Sequence, residues 1–264
     1  MIKVYVPRDS AARSMGADEV ADALEVVAGN HGFEIIRNGS RGLLWLEPMV
    51  EVETASGRIA YGPVSAEDVP SLLAKDFVQG GDHRLRLGNI EDHPYLKNQE
   101  RLTFARCGIT DPLSVSDYIA HGGFEGLGKA LKLAGSAIVA AVTESGLRGR
   151  GGAGFPTGIK WKTVHDVTAD QKYICCNADE GDSGTFADRM VMEGDPLMLI
   201  EGMTIAGIAV GATKGYVYIR SEYPDSIATM KEAIAAAIAA NWLGDNIQGT
   251  DKSVHLEVRR GAGA

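Results

Sequence analysis

The sequence has few cysteines and no long apolar segment, and each absence excludes a class of protein. Its three cysteines, Cys107, Cys175 and Cys176, form no C-x-x-C pair, which argues against a disulfide scaffold and favours a reducing compartment. The longest apolar stretch, 196–213, contains Glu201 and is too short to span a bilayer. The N-terminus also lacks the apolar region of a signal peptide. We therefore expect a cytoplasmic protein with no membrane insertion.

Positive charge is also scarce. The 26 basic residues stand against 35 acidic ones, which gives a formal net charge of −9 and argues against non-specific binding to nucleic acid. The six histidines are scattered, without the spacing of a metal-binding motif. We therefore expect no nucleic-acid partner and no metal ligand in this chain.

The order of predicted elements indicates an α/β fold with two domains. Residues 1–75 predict strand, helix, strand, hairpin and helix, a thioredoxin-like outline whose hairpin strands are 43–53 and 58–64. The polar residues 76–114 are expected to form a linker that wraps rather than packs. Residues 115–264 begin with helices and continue as βαβαβ, the pattern of a parallel, Rossmann-like sheet covered by helices.

Polar and glycine-rich segments follow each strand of this predicted parallel sheet. They are residues 177–184, 220–224 and 259–264. Ligands of open parallel sheets bind beyond the carboxyl ends of the strands. The sequence therefore predicts a binding site at that edge.

Six glycines fall within the thirteen positions 146–158. Glycine lets main-chain N–H groups approach a ligand without a Cβ atom between them. Positive charge is added by Arg148, Arg150, Lys160 and Lys162. The segment is suited to a phosphate, a pyrophosphate or a flat ring, and a glycine-rich turn between helices is the alternative.

Two known glycine motifs do not explain this segment. The Walker pattern fails because Phe155 stands where a lysine is needed. Gly149, Gly151 and Gly154 match the G-x-G-x-x-G fingerprint, but the segment before them reads as a helix and not as a strand.

Four carboxylates, Asp179, Glu180, Asp182 and Asp188, follow one predicted strand together with the amide of Asn177. Such groups suit ribose hydroxyls or a carboxamide. A metal site of hard oxygen ligands and a solvated acidic loop are the alternatives.

Residues 146–161, 176–189 and 258–264 resemble the NADH-binding flavoprotein subunit of respiratory complex I and its soluble relatives. Those relatives are the diaphorase subunits of NAD-linked hydrogenases and formate dehydrogenases. The resemblance covers about residues 97–264. The N-terminal segment VYVPRDSAARS and the Gly-Asp-Ser-Gly of the acidic segment are most similar to the beta subunit of soluble, molybdenum-containing, NAD-dependent formate dehydrogenase.

The resemblance implies hydride transfer between NAD(H) and FMN, with electrons passed to or from iron–sulfur clusters of a formate dehydrogenase. Its partners would be iron–sulfur and molybdenum-containing subunits. No general acid or base is assigned, because the cofactors carry the chemistry. The implied cofactor-binding residues are Gly149, Arg150, Gly151, Gly152, Ala153, Gly154, Phe155, Pro156, Thr157, Gly158, Lys160, Asn177, Asp179, Glu180 and Asp182. The alternatives are the same role in an NAD-linked hydrogenase or complex I, or a non-catalytic scaffold that docks other proteins.

The sequence also departs from the family pattern. Asp182 and Ser183 stand where the family commonly has Glu and Pro. The chain ends at Ala264, before the segments that complete the flavin site and hold a 4Fe–4S cluster, so we expect a truncated chain whose cluster belongs to the missing C-terminal region. The N-terminal domain resembles a thioredoxin-like ferredoxin domain, but its four cluster-ligand positions hold Pro7, Ala12, Ser40 and Leu44. Without thiolates there, we expect a docking domain that binds no cluster.

Overall fold

A computed structural model describes residues 1–182 and 184–262. The chain divides into two compact units, each built around its own hydrophobic core. Unit 1 contains Met1–Pro112 together with Glu193–Asp195, and unit 2 contains the other residues. Both units combine helices with a sheet, which confirms the α/β fold class.

Unit 1 is a five-stranded mixed sheet with helices. Its strands are β1 (Ile2–Tyr5), β2 (Phe33–Ile36), β3 (Val50–Thr54), β4 (Gly57–Tyr61) and β5 (Arg86–Asn89). Its helices are α1 (Ser10–Ser14), α2 (Ala17–His31), α3 (Val69–Ala74) and α4 (Pro94–Lys97). The strand order is β2-β1-β3-β4-β5, with β1 parallel to β2 and the other neighbours antiparallel. This order agrees with the thioredoxin-like outline.

The predicted hairpin is present, but its first strand is shorter than expected. The strand begins at Val50, whereas Leu44–Leu46 forms a turn of 3-10 helix. Pro48 lies between them and has no N–H group to donate to a sheet. The hairpin turn itself is as predicted, since Thr54 pairs with Gly57 across two residues and Gly57 has a φ of 108°.

The prediction of a linker is wrong for residues 76–112, which belong to unit 1. Phe77 is fully buried, and β5 pairs with β4. The Tyr61 hydroxyl donates to the Gly81 carbonyl at 2.7 Å. The segment is held by main-chain bonds and a few apolar anchors, and therefore shows no regular hydrophobic pattern.

Unit 2 contains a parallel sheet in the order β6-β7-β8, formed by β6 (Tyr173–Ala178), β7 (Lys214–Ile219) and β8 (His255–Arg260). Its helices are α5 (Val115–Ala120), α6 (Glu125–Ala130), α7 (Gly135–Glu144), α8 (Thr157–Asp166), α9 (Ala187–Gly194, which starts in this unit), α10 (Pro196–Val210) and α11 (Pro224–Ala239). Most of α10 is buried. The βαβαβ prediction is confirmed, with the three parallel strands separated by α10 and α11.

Two helices that border the predicted site, α8 and α9, do not follow from the sequence pattern. α8 is Lys-rich and buries only Gly158, and α9 is short. Among the described residues, no helix is both long and apolar enough to cross a bilayer.

Candidate functional site

Residues 149–155, which we call the glycine loop, project from a closed base between α7 and α8. The Gly149 N–H donates to the Phe155 carbonyl at 2.8 Å, and the Thr157 N–H donates to the Leu147 carbonyl at 2.9 Å. Gly152 and Gly154 have φ angles of 92° and 59°, a left-handed conformation that glycine adopts without strain. The loop thus has the form of a hairpin whose tip is exposed.

No protein atom lies close to the position that a Cβ atom would occupy on the glycines of this loop. A Cβ on Gly151 or Gly152 would have nothing within 4 Å, and on Gly149 or Gly154 the nearest atoms would lie at 3.6 and 3.8 Å. Gly158 differs, because its Cβ would lie 2.3 Å from Thr143 Oγ1. Gly158 is therefore needed for helix packing, whereas packing within the protein does not require glycine at the loop positions.

The four cationic side chains near the glycine loop differ in whether the protein itself engages them. Arg148 Nε donates to the Gly154 carbonyl at 2.7 Å and so holds the loop, and Lys162 pairs with Asp166 one helical turn later. Arg150 and Lys160 are exposed, and neither makes an ion pair within the described part of the chain. The structure therefore leaves Arg150 and Lys160 available to an anion.

Contacts among α7, α8 and α10 show at which end of unit 2 the loop lies. At the start of α7, a Cβ on Gly135 would lie 2.6 Å from the Ala209 carbonyl oxygen near the end of α10. His165 Nδ1, near the end of α8, lies 2.9 Å from that same oxygen. The two helices meet again where Gly158 contacts Thr143. The glycine loop, which joins them there, thus lies at the end of unit 2 opposite Ala209.

This end corresponds to the carboxyl ends of the parallel strands. Lys172, just before β6, donates from Nζ to the carbonyls of His165 and Val210 at 2.9 and 3.0 Å. The amino end of the sheet is therefore beside the ends of α8 and α10. The glycine loop lies towards the other edge, where the sequence predicts the site.

The acidic segment follows β6 as a turn. The Asn177 side-chain oxygen accepts the Asp179 N–H at 3.1 Å. Asp179 is half-buried and Asp182 is exposed, so these two carboxylates remain open to solvent or a ligand. Ser183, Gly263 and Ala264, which also contribute to the predicted motifs, lie outside the described residues.

Glu180 faces inward and is only 7% exposed. Its carboxylate accepts the N–H groups of Asp188 and Arg189 at 3.0 and 3.3 Å, at the start of α9, and the Tyr223 hydroxyl at 3.0 Å. Charged acceptors are stabilising at a helix N-terminus. The geometry gives Glu180 a role within the protein, which is to position the acidic turn against α9.

The segment after β7 supplies residues that sequence reasoning did not single out. Arg220 donates to the Glu180 main-chain carbonyl, and Tyr223 binds the Glu180 side chain. Burial raises the pKa of the Tyr223 hydroxyl, and the Glu180 carboxylate raises it further. Burial and the same carboxylate also raise the pKa of Asp188. The sequence places the segment 220–224 directly after a parallel strand, but that position alone does not distinguish Arg220 and Tyr223 from their neighbours.

The other predicted residues surround the loop base. Phe155 is 50% exposed, and Pro156 and Thr157 are half-buried where α8 begins. Ala153 lies exposed near the tip. Among the described residues, no group of three or more His, Cys, Asp or Glu side chains is arranged to hold a metal ion.

Residues 142–264 match the family model described as the Nuo51 FMN-binding domain. Through these residues the chain is similar to the complex I-like NADH/FMN flavoproteins. It is 52% identical over 168 residues to the NADP-reducing hydrogenase subunit HndC of Solidesulfovibrio fructosivorans, covering 64% of this chain and 34% of that protein. It is 49% identical over 157 residues to an NADH-quinone oxidoreductase subunit of Rhizobium meliloti, covering 59% of this chain and 37% of that protein.

The chain thus spans about a third of the length of these two relatives. Among solved structures, an NAD+-reducing [NiFe]-hydrogenase in the air-oxidized state aligns with the whole chain and with 43% of its own chain, at 22% identity and a TM-score of 0.47.

Proposed function

We propose that this chain is the FMN- and NAD(H)-binding part of a diaphorase subunit. The observation that supports this most directly is the glycine loop, whose Gly151 and Gly152 would meet no protein atom within 4 Å if they carried a Cβ. An exposed loop with bare main chain and two exposed cations suits a phosphorylated, flat ligand. FMN, which the family model names, has both features.

The residues present fit FMN by their chemistry. Main-chain N–H groups of the glycine loop would face the ring or phosphate, and Arg150 and Lys160 would neutralise phosphate charge. Phe155, the half-exposed last residue of the loop, offers a ring face for stacking. Asn177 and Asp179 would supply polar contacts from the end of β6, while Glu180 would position them through α9.

When bound, FMN supplies hydride exchange with NAD(H) and single-electron exchange with iron–sulfur clusters. The chain's part is to bind and orient the two cofactors. We assign no proton-transferring side chain.

The assembly we favour is a soluble NAD-dependent formate dehydrogenase, in which iron–sulfur subunits exchange electrons with the flavin and a molybdenum-containing subunit oxidises formate. The N-terminal VYVPRDSAARS segment and the absence of cysteine from Pro7, Ala12, Ser40 and Leu44 support this choice. The second candidate is an NAD(P)-linked hydrogenase, because one relative at 52% identity is a hydrogenase subunit. Metal analysis of the purified assembly separates them, since molybdenum is expected for the first and nickel or iron without molybdenum for the second.

The FMN proposal is tested with a Gly151→Val variant. The φ of Gly151 is not left-handed and its Cβ would meet no protein atom, so the protein tolerates valine while a ligand lying on the main chain does not. We expect the wild-type chain to bind FMN, with a visible flavin band that NADH bleaches. The variant is expected to lose FMN affinity by about tenfold or more, equal to at least about 1.4 kcal/mol, with an unchanged unfolding transition.

The matched control is Gly29→Val, at an exposed glycine of α2 whose Cβ would also meet nothing. It should bind FMN as the wild type does. If Gly151→Val binds FMN with wild-type affinity, the glycine loop does not hold the flavin.

A further inference from the structure

A groove of about 470 Å³ lies within unit 2, apart from the glycine loop and the acidic turn. It runs between α6 and the segment that follows α11. Its lining includes Glu125, Lys129, Leu131, Lys132, Trp242 and Gln248. Among the described residues, none of the proposed cofactor site contributes to this lining, so the groove has no role in the function proposed above.

Trp242 forms a fixed apolar surface in this groove. Its indole stacks on the ring of Phe124 with centroids 4.5 Å apart and planes 2° from parallel. Phe124 is only 2% exposed and has a φ of 60°, so it is held in place by the core beneath. Because one indole face is covered by Phe124, the surface that Trp242 offers to the groove is oriented before any ligand arrives.

The rim beside Trp242 is also held in one conformation. Gln248 Nε2 donates to the carbonyls of Ala240 and Asn241 at 3.1 and 2.9 Å. Gln248 has a φ of 49° and Asn246 has the same value. A left-handed glutamine costs free energy and persists where the surroundings enforce it, which is common at ligand sites. The groove is therefore preformed, as small-molecule sites usually are.

The charge of the groove is positive although the chain is acidic. Lys129 and Lys132 pair with no carboxylate anywhere in the described residues, and Glu125 is the sole acid in the lining. Two ammonium groups beside an apolar, aromatic wall complement a ligand with a negative group at one end and a flat ring at the other.

We propose that this groove binds a small planar organic anion. The ring would lie against Trp242 and Leu131, and a phosphate or carboxylate would be held by Lys129 and Lys132. The volume of about 470 Å³ is within the usual range for small-molecule pockets, about 300–1,000 Å³.

The experiment uses phenyl phosphate as the probe and the indole N–H resonances of the intact chain as the readout. The chain has three tryptophans, and Trp161 on α8 reports separately on binding near the glycine loop. We expect a saturable shift of the Trp242 resonance, with a dissociation constant of about 1 mM or lower. Inorganic phosphate, which lacks the ring, and benzyl alcohol, which lacks the charge, should each give at most a weak, unsaturated shift.

A Lys129→Gln and Lys132→Gln double variant should bind phenyl phosphate about tenfold more weakly, as expected for lost charge-assisted bonds. Lys231→Gln, at an exposed lysine of α11 outside the groove, should bind like the wild type. The proposal fails if the Trp242 shift does not saturate, if the double variant keeps wild-type affinity, or if inorganic phosphate binds equally well. It also fails if only an acidic peptide shifts Trp242, since the groove would then be a protein docking site.

Discussion

At the scale of single residues, the buried carboxyl group of Glu47 predicts how the stability of the chain depends on pH. Its side chain in unit 1 is only 2% exposed and accepts bonds from the Ser40 hydroxyl at 2.6 Å and the Met49 N–H at 2.9 Å. Burial, and secondly the nearby negative charge of Asp9, raises the pKa of Glu47 from 4.5 to about 8. Burial also raises the pKa of Asp9. The Glu47 carboxyl group is therefore more stable protonated below about pH 8.

The sign of the resulting pH dependence follows from proton binding. Between pH 4.5 and about 8 the folded chain keeps a proton on Glu47 that the unfolded chain has released, so stability falls as pH rises through this window. We expect Glu47→Gln, which mimics the protonated acid, to gain stability relative to the wild type by up to about 1.4 kcal/mol per pH unit. Urea unfolding at several pH values measures this difference.

Glu67→Gln is the control, because Glu67 is exposed in the same unit. Its stability difference from the wild type should stay nearly constant with pH. If the difference in stability between Glu47→Gln and the wild type does not change between pH 4.5 and about 8, Glu47 is ionised in the folded chain.

Residue types in the candidate site could be predicted from the sequence, whereas their orientations could not. The motif placed Glu180 among ligand-binding carboxylates, but its side chain turns inward to the start of α9. Likewise, the four cations near the glycine loop are equivalent by sequence, but Arg148 and Lys162 are engaged within the protein. Such distinctions depend on contacts between distant segments, which no local pattern encodes.

At the scale of secondary-structure elements, the close approach of α7 and α8 positions the glycine loop. A Cβ on Gly158 would lie 2.5 Å from the Thr143 Cα atom and 2.8 Å from its Cβ. These atoms belong to a helix and cannot move aside without shifting α7. We expect Gly158→Ala to destabilise the chain by about 1–3 kcal/mol through overpacking, measured by denaturant unfolding, and to weaken FMN binding because the loop base moves.

Gly202→Ala provides the comparison, since Gly202 is exposed in α10 and its Cβ would meet nothing. Alanine there should stabilise the helix by about 0.5–1 kcal/mol. Equal or greater stability of Gly158→Ala would show that the two helices are not in tight contact.

Elements with a strong hydrophobic pattern could be predicted from the sequence, whereas elements held by tertiary contacts could not. The parallel strands β6, β7 and β8 and the apolar helix α10 follow from runs of apolar residues. The segment around β5 has the polar composition of a linker, although β5 pairs with β4. The pattern also misses α8, because its surface is basic and it buries only Gly158.

At the scale of the whole molecule, the net charge of −9 opposes the binding of any phosphorylated cofactor. The positive charges of Arg150 and Lys160, in contrast, attract a phosphate group at short range. Charges spread over the molecule are largely screened beyond a Debye length of about 10 Å at 0.1 M salt. We therefore expect the local cations to determine how FMN binding responds to salt.

Raising the salt from 0.1 M to 1 M shortens the Debye length to about 3 Å and screens the local pairs as well. Each exposed pair contributes at most about 1 kcal/mol, so FMN affinity should fall by up to about thirtyfold for two cations. Riboflavin, which has the same ring without the phosphate, should show little change. An Arg150→Gln and Lys160→Gln double variant should bind FMN weakly and lose most of the salt dependence, whereas Lys231→Gln should keep it. Equal salt dependence for FMN and riboflavin would mean that these two cations do not hold the phosphate.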